Sequence, residues 1–280
     1  MIDRDLPPEQ LAALSQAAEA LGADDIWVVE DIGWGGGIAA AATVLATTSH
    51  VRVAIGILPA PLRNPVLAAM EIATLGRLYP GRFVAGIGHG VQDWMRQVGA
   101  AVPSPLALLE ETFTVLRRLL SGERVTLAGR AVSIDDVALV HPPIVSVPLL
   151  AGVTGPKSLE LAGRVADGVV LIEGSGADEI RDARARAANR TEPYEVAVLC
   201  HFFVSADPQL VLDAVDAVAL GFFGGRERDF TIAAGNAVQS ADVIRGLWEA
   251  GATTVVLRPI GDLATHFGHV MTALSAQQRP

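Results

Sequence analysis

Several turns in the sequence combine glycine with side chains that could do chemistry, and one of them resembles an anion site. This turn consists of Gly152, Val153, Thr154, Gly155, Pro156, Lys157 and Ser158. It follows a short apolar run, and Pro156 stands where the first residue of a helix would be. Free backbone N–H groups and the helix dipole favour an anion there, and Lys157 and Ser158 could add donors. The spacing is not that of a Walker loop, so we expect a phosphate site of another kind, with an ordinary strand-to-helix turn as the alternative.

A second turn, from Gly86 to Gly90, places a histidine between glycines at the end of an apolar run. Glycine at Gly86, Gly88 and Gly90 lets the backbone approach a flat ligand closely. The pattern is not that of a dinucleotide-binding fingerprint. The imidazole of His89 can exchange a proton near neutral pH, which predicts a role in a pocket, and a polar loop histidine is the alternative.

Adjacent carboxylates, Glu30 and Asp31, follow the apolar run Ile26–Val29. One of two neighbouring residues at a strand end points into the mouth of a barrel, where it could bind a ligand or tune a neighbour. A capping or solvated pair is the alternative. Glu173 follows another strand and has the same two interpretations.

The remaining reactive side chains predict no further site. Cys200 lies inside an apolar run, which indicates a buried structural thiol. The histidines outside the glycine turn show no spacing typical of metal ligands, so we expect no metal.

A strand–helix–strand unit positions the turn from Gly86 to Gly90. The β-branched run Val51–Ile57 predicts a strand buried on both faces, and Arg82–Ile87 predicts a second one. Between them, Asn64 can cap a helix that runs from Pro65 to Leu78. Because ligands meet parallel strands at their carboxyl ends, Gly56 and Gly86–Gly90 are candidate site residues.

Alternating strands and helices continue along the chain and predict a parallel sheet. The predicted strands are Ile26–Val29, Val51–Ile57, Arg82–Ile87, Pro148–Ala151, Gly168–Ile172, Glu195–Val204 and Thr253–Leu257. The number of units favours one closed α/β barrel over residues 1–280, with a hairpin at 125–134 as an insertion. A closed barrel needs an eighth strand, for which Met1–Asp3 is barely long enough.

Composition limits the partners. The chain has 280 residues, is 51% hydrophobic and carries a formal net charge of −10, which argues against nucleic acid as its main partner. Its single cysteine fits a reducing compartment. The uncharged stretch Ile32–Ser49 consists mostly of small residues, which favours packed soluble helices over a membrane span. We therefore expect a cytoplasmic protein that acts on a small molecule.

Three segments together resemble a known family. They are RVAIGILPAPLRNPVLAAMEIATLGRLYPGRFVAGIGHG, SPLALLEETFTVLRRLLSGERVTLAGR and GPKSLELAGRVADGVVL. In this order they are similar to the bacterial luciferase-like monooxygenase superfamily. More narrowly, they resemble its branch that uses the deazaflavin coenzyme F420, such as methylenetetrahydromethanopterin reductase. The resemblance implies a (β/α)8 TIM barrel with insertions, usually as a homodimer.

The resemblance also implies where a coenzyme would lie. The family's third strand often carries a non-proline cis peptide behind the tricyclic ring, and the matching bond is Gly56–Ile57. The fourth-strand loop, here Gly88 to Gln92, places polar side chains beside the ring. Some relatives have a glutamate where this chain has His89, so the identity of the acid is open. Relatives also have a longer first strand than this chain.

The remaining coenzyme contacts follow from the same resemblance. Phosphate contacts fall on the backbone of the turn from Gly152 to Ser158. The polar pair on the family's second strand falls on Glu30 and Asp31. The resemblance therefore assigns residues of this chain to both the ring and the phosphate of the coenzyme.

Three functional hypotheses follow. The first is a soluble oxidoreductase that moves a hydride between F420 and an organic substrate, with His89 or Glu30 handling the proton. The second keeps the fold but uses FMN and oxygen, as a monooxygenase with a partner reductase. The third is a non-catalytic ligand-binding barrel. Trp34 and Trp94 lie in loops at the expected mouth and could stack on substrate or simply pack.

Overall fold

The computed structural model describes residues 1–188, 190–222, 224, 230–261 and 263–275. Within these residues the strands are β1 Asp25–Val28, β2 Arg52–Pro59, β3 Phe83–Gly88, β4 Val125–Ala128, β5 Ser133–Val137, β6 Leu149–Gly152, β7 Gly168–Leu171, β8 Glu195–Val204, β9 Ala233–Gly235 and β10 Thr254–Pro259. The seven strands predicted from the sequence are all present, and the hairpin is β4–β5.

The main sheet is parallel and curls into a barrel with the strand order β1-β2-β3-β6-β7-β8-β10. The short strand β9 pairs with the end of β8. Helices alternate with the strands, which confirms the predicted (β/α)8 architecture. The carboxyl ends of all seven strands therefore lie on one rim.

The eighth position of the barrel is filled only in part. The Met1 nitrogen donates to the carbonyl of Leu257 at 2.6 Å, and the Ile2 N–H donates to the carbonyl of Trp27 at 2.9 Å. These two bonds join β1 to β10 near the rim. Below them, at the amino-terminal end of the barrel, a cavity of about 550 Å³ separates the two strands. The predicted first strand is thus reduced to a two-residue bridge.

The helices are α1 Leu11–Ala20, α2 Gly37–Thr47, α3 Pro65–Leu78, α4 Gln92–Gln97, α5 Pro105–Leu120, α6 Pro156–Val165, α7 Ala177–Arg186, α8 Pro208–Gly221, α9 Ala237–Glu249 and α10 Leu263–Ser275. No helix in the described part of the chain is long and apolar enough to cross a membrane.

Two helix boundaries show how local hydrogen bonds decide where a helix begins. The Asn64 side chain accepts the Val66 N–H at 2.9 Å, as expected for the cap of α3. Helix α9 begins at Ala237, because the Asn236 side chain accepts the N–H groups of Val238 and Gln239. The short helix α4 was not predicted, since six residues are too few to show a helical period.

Two cores result from this arrangement. The larger one lies between the sheet and the surrounding helices. A smaller one fills the barrel interior and consists of Trp27, Ala54, Val84, Leu150, Val170, Ala197, Leu199 and Val256. Residues that continue these inward-facing rows toward the carboxyl ends therefore face the mouth of the barrel.

Candidate active site

A bulge in β2 forms one side of the mouth. The peptide bond between Gly56 and Ile57 is cis, as the resemblance implied, and the pairing of β2 with β3 shifts register there. The side chain of Ile57 lies across the ends of β3 and β6. A Cβ on Gly88 would come within 3.0 Å of the Ile57 Cδ1, and a Cβ on Gly152 would collide with the Ile57 Cγ2. We call Ile57, Gly88 and Gly152 the glycine platform, a smooth surface without polar side chains.

Packing also explains the glycine of the bulge itself. A Cβ on Gly56 would lie 2.8 Å from the Cε3 of Trp27. The Trp27 indole is 1% exposed and belongs to the barrel core. The bulge therefore rests directly on a buried aromatic ring, which supports the platform from below.

His89 leaves β3 beside the platform and faces the next turn. Its Nε2 lies 3.0 Å from the hydroxyl of Ser158. Burial lowers the pKa of His89, so the ring is neutral at pH 7 and can accept a proton. The amide of Gln92 donates to the carbonyls of His89 and Gly90, at 3.2 and 3.3 Å, and so holds the loop in place.

Helix α6 begins at the same part of the rim. Gly155 caps it with φ +82°, a conformation that favours glycine, and Pro156 is its first residue. Lys157 is exposed beside the first turn, and Val153 is buried beneath it. The free N–H groups of this first turn and the lysine make the start of α6 suited to an anion.

The three predicted turns meet at one rim. Gly88 of β3 is in register with Gly152 of β6, and Ile57 reaches over both. His89 and Ser158 are in contact across the same junction. The glycine platform, His89 and the start of α6 therefore lie side by side on one part of the rim.

The carboxylates after β1 are engaged in ion pairs. Glu30 accepts from the Arg63 Nη2 at 2.8 Å and from the Gly37 N–H at 2.8 Å, at the first residue of α2. Asp31 pairs with the Arg4 Nη1 at 2.5 Å. These bonds position the loop after β1. Both oxygens of Glu30 accept hydrogen bonds in this arrangement, and its role in proton transfer stays a prediction.

On the other side of the mouth is a group of charges that the sequence did not reveal as a group. The Arg258 Nε lies 3.0 Å from the Oδ2 of Asp3, and its Nη1 lies 3.0 Å from the Oε1 of Glu173. His201 is 6% exposed, and its ring lies edge-on to Phe222 at 5.1 Å. We call Asp3, Glu173, His201 and Arg258 the charged wall.

The pKa values of Arg258 and His201, within the charged wall, are shifted from their ordinary values. Burial opposes the charge of Arg258, but the carboxylates of Asp3 and Glu173 outweigh this effect and raise its pKa. Burial, followed by the nearby Arg258 charge, lowers the pKa of His201 to about 4. At neutral pH the wall therefore holds one cation, two anions and a neutral imidazole.

Signals for the charged wall were weak in the sequence. Each member lies near the carboxyl end of a strand or bridge, and Glu173 was noted singly. Asp3 and Arg258 are 255 residues apart, and only closure of the barrel brings them together. The neighbouring Cys200 is buried as predicted, and burial raises the pKa of its thiol to about 12.

The two tryptophans of the mouth pack on an arginine. The Arg4 guanidinium lies 4.2 Å from the Trp34 ring and 5.8 Å from the Trp94 ring. The Trp34 Nε1 also donates to Asp5 at 2.8 Å. The packing interpretation of these residues accounts for all these contacts.

Comparison with known proteins decides the family. The family model described as luciferase-like monooxygenase matches residues 2–268. The chain belongs to the luciferase-like monooxygenase family. The resemblance found in the sequence is therefore confirmed for this family.

Among curated luciferase-like relatives, the chain is 32% identical over 220 residues to the F420-dependent glucose-6-phosphate dehydrogenase of Nakamurella multipartita. This match covers 71% of the chain and 64% of the relative, so the chain spans less than two thirds of that protein. The chain is also 26% identical over 226 residues to the 5,10-methylenetetrahydromethanopterin reductase of Methanolobus tindarius. This match covers 78% of the chain and 69% of the relative.

Solved structures share the luciferase-like fold at lower identity. An F420-dependent secondary alcohol dehydrogenase in complex with an F420-acetone adduct superposes with a TM-score of 0.84 at 20% identity, covering 98% of this chain and 96% of that one. The oxygenating constituent of 3,6-diketocamphane monooxygenase from Pseudomonas putida, in complex with FMN, has a TM-score of 0.79 at 14% identity, covering 98% and 95%. These likenesses support the barrel fold.

Proposed function

We propose that the protein is an oxidoreductase that moves a hydride between coenzyme F420 and a small organic substrate. The observation that carries the proposal is the convergence of the glycine platform, His89 and the start of α6 at one rim. The names of the curated relatives support the coenzyme.

The residues at the rim fit a phosphate-bearing tricyclic coenzyme. The glycine platform offers a flat apolar surface on which Gly88 and Gly152 leave no room for a further side chain. The start of α6, with Lys157 and Ser158, would hold the phosphate. Asp31, Gln92 and Val153 stay predicted contacts of the coenzyme. When bound, F420 supplies a carbon centre that takes or gives a hydride.

His89 would move the proton that accompanies the hydride. Its neutral ring can accept a proton at Nε2, relayed from a substrate hydroxyl through the hydroxyl of Ser158 that lies 3.0 Å away. Glu30, paired with Arg63, would hold the loop after β1 in place. The barrel thus supplies orientation, an apolar surface and one acid–base group.

Kinetics of His89→Gln with F420 tests this role. We expect kcat to fall roughly 100-fold or more, because the substitution removes the acid–base group, while coenzyme affinity changes little. Glu30→Gln, which replaces the other candidate acid–base residue, is the matched variant. Its kcat should fall less than that of His89→Gln. Unchanged kcat in His89→Gln, together with a large loss in Glu30→Gln, would transfer the acid–base role to Glu30.

An FMN-dependent monooxygenase is the second candidate. It is supported by the shared fold of the FMN-bound monooxygenase, and FMN also combines a tricyclic ring with a phosphate. Such an enzyme would need a partner reductase and oxygen. A barrel that binds a ligand without catalysis is the third candidate, and failure to bind either coenzyme would favour it.

We also propose that two copies associate and that the protein acts in the cytoplasm. Exposed apolar side chains on α3 support association: Leu67, Met70 and Leu78 are 46%, 52% and 64% exposed. The single buried cysteine is compatible with a reducing compartment. Light scattering of the purified protein measures the oligomeric state, and a monomeric mass would contradict the first of these proposals.

A further inference from the structure

Among the described residues, three arginines at the mouth of the barrel already have carboxylate partners. Arg4 pairs with Asp31, and Arg258 pairs with both Asp3 and Glu173. Arg63 pairs with Glu30 and Glu71. Three arginines therefore face five carboxylates around the mouth.

Burial makes these pairs costly to open. The side chains of Arg258 and Glu173 are 13% and 8% exposed, and those of Arg63 and Glu30 are 19% and 10% exposed. A substrate phosphate at Arg258 would lie close to Asp3 and Glu173, whose two negative charges exceed the single charge of the arginine and oppose the anion. If the phosphate displaced Glu173 instead, that carboxylate would be left buried and unpaired. Removing one partner of a buried pair is strongly unfavourable, whereas a neutral ligand leaves the pair intact.

Lys157 is a further cation at the rim. Among the described residues it has no carboxylate partner within salt-bridge distance. It stands on the first turn of α6, next to the glycine platform, where the coenzyme phosphate is proposed to bind. Arg226 and Arg228 lie outside the described residues. A direct measurement of phosphate binding includes any contribution from these two arginines.

The substrate side of the mouth offers neutral and apolar contacts instead. His201 presents an uncharged imidazole beside Phe222. Ile172, at the end of β7, is 51% exposed, and Ile57 is part of the glycine platform. A neutral imidazole can donate one hydrogen bond to an oxygen, and the isoleucines can contact a hydrocarbon.

We infer that the substrate is an uncharged alcohol or ketone, and that the charged wall excludes phosphorylated substrates because its carboxylates occupy Arg258. This inference rests on the proposed function. In the oxidation direction, the C–H bond of the alcohol breaks and its electron pair leaves with the hydrogen as a hydride to the bound coenzyme, which is the oxidant. The hydroxyl proton passes to His89, and a carbonyl compound remains.

Binding of glucose and glucose 6-phosphate to the coenzyme-loaded protein tests the inference, because the two differ by one phosphate. Calorimetry should detect no glucose 6-phosphate binding at millimolar concentration. Kinetics should give a higher kcat/KM for uncharged secondary alcohols, such as 2-propanol and cyclohexanol, than for glucose 6-phosphate. Tight binding or efficient oxidation of glucose 6-phosphate would overturn the inference, whichever residues hold the phosphate.

Glu173→Gln supplies the complementary test. This change keeps the shape of the side chain but releases Arg258 from one carboxylate, so affinity for glucose 6-phosphate should rise roughly tenfold or more. Asp3→Asn serves in the same way if Glu173→Gln does not fold. Arg181→Gln, at an exposed pair on α7, is the control and should change nothing. A folded variant with no gain in phosphate affinity would contradict the role given to the charged wall.

Failure of this inference can be told apart from failure of the proposed function. If the protein binds no F420, shown directly by coenzyme fluorescence, the proposed function is wrong. If it binds F420 and reduces it with glucose 6-phosphate, the function stands and the substrate class is wrong.

Discussion

At the ends of β2, β3 and β6 the rim consists of backbone and one apolar side chain, whereas near the ends of β7, β8 and β10 it consists of paired charges. The glycine platform depends on the absence of side chains at Gly88 and Gly152. The charged wall depends on the balance among Asp3, Glu173 and Arg258. One mouth therefore combines an apolar surface, where we propose that the coenzyme ring binds, with a charged surface, where we propose that the substrate binds.

The largest difference between the two halves should appear when Arg258 is replaced by methionine. Glu173 would stay buried, and Asp3 partly buried, without a cation, so the free energy of unfolding should fall by about 3–5 kcal/mol, as seen when buried pairs are broken. Urea denaturation measures this loss.

Arg181→Met is the matched control for that experiment. Arg181 and its partner Asp178 are 62% and 94% exposed, so the loss should stay below about 1 kcal/mol. Equal losses in the two variants would mean that the charged wall behaves as an ordinary surface pair.

A pH dependence should distinguish the charged wall from the platform. The pKa of His201 in the folded protein, about 4, lies below its ordinary value of 6.5, so the unfolded chain takes up the proton first. The free energy of unfolding should therefore fall as the pH drops from 6.5 toward 4, by roughly 3 kcal/mol in all from this residue.

His201→Gln removes one titrating group and should reduce the slope of this dependence, measured by urea denaturation at several pH values. The lowered pKa values of His89 and of the Met1 amino group leave a remaining slope in both proteins. The pKa of Asp3 is lowered, so its contribution is lost only at more acidic pH and falls outside the window. Parallel curves for the two proteins between pH 6.5 and 4.5 would contradict the assigned environment of His201.

Overpacking should disturb the platform. Gly152→Val would push its side chain into Ile57, which should cost about 1–3 kcal/mol of stability and weaken coenzyme binding. Adding Ile57→Ala should recover part of the loss, and a double-mutant cycle measures this coupling.

Gly246→Ala on α9, where a Cβ would meet nothing within 4 Å, is the control for the platform. It should keep full coenzyme affinity. If Gly152→Val were equally harmless, the close approach of Ile57 to β6 would not matter.

The smallest expected effect is at the start of α6. Lys157→Ala should weaken F420 binding roughly tenfold, or about 1.4 kcal/mol, because one charge near the phosphate is lost. Lys157→Arg should retain most of the affinity, and the difference should shrink at high salt. An effect of salt that is the same in all three proteins would place the phosphate elsewhere.

The two halves also differ in how far the sequence predicts them. The members of the glycine platform and the start of α6 each lie at or just after the end of a parallel strand that is visible in the sequence, so the strand pattern, Gly152 and Pro156 were sufficient to place them on one rim. The charged wall joins Asp3, Glu173, His201 and Arg258 from distant segments. No local sequence pattern predicts such a network, because its members come together only when the barrel closes. For the same reason, the pairing of Glu30 with Arg63 could not be read from either residue alone.

Fluorescence titration of the purified protein with F420, alongside FMN, tests most directly whether the glycine platform and the start of α6 seat a deazaflavin. The account predicts saturable F420 binding that weakens in Gly152→Val and Lys157→Ala, and FMN binding that is weaker than F420 binding. Tight FMN binding with no F420 binding, or F420 binding that neither variant affects, would contradict it.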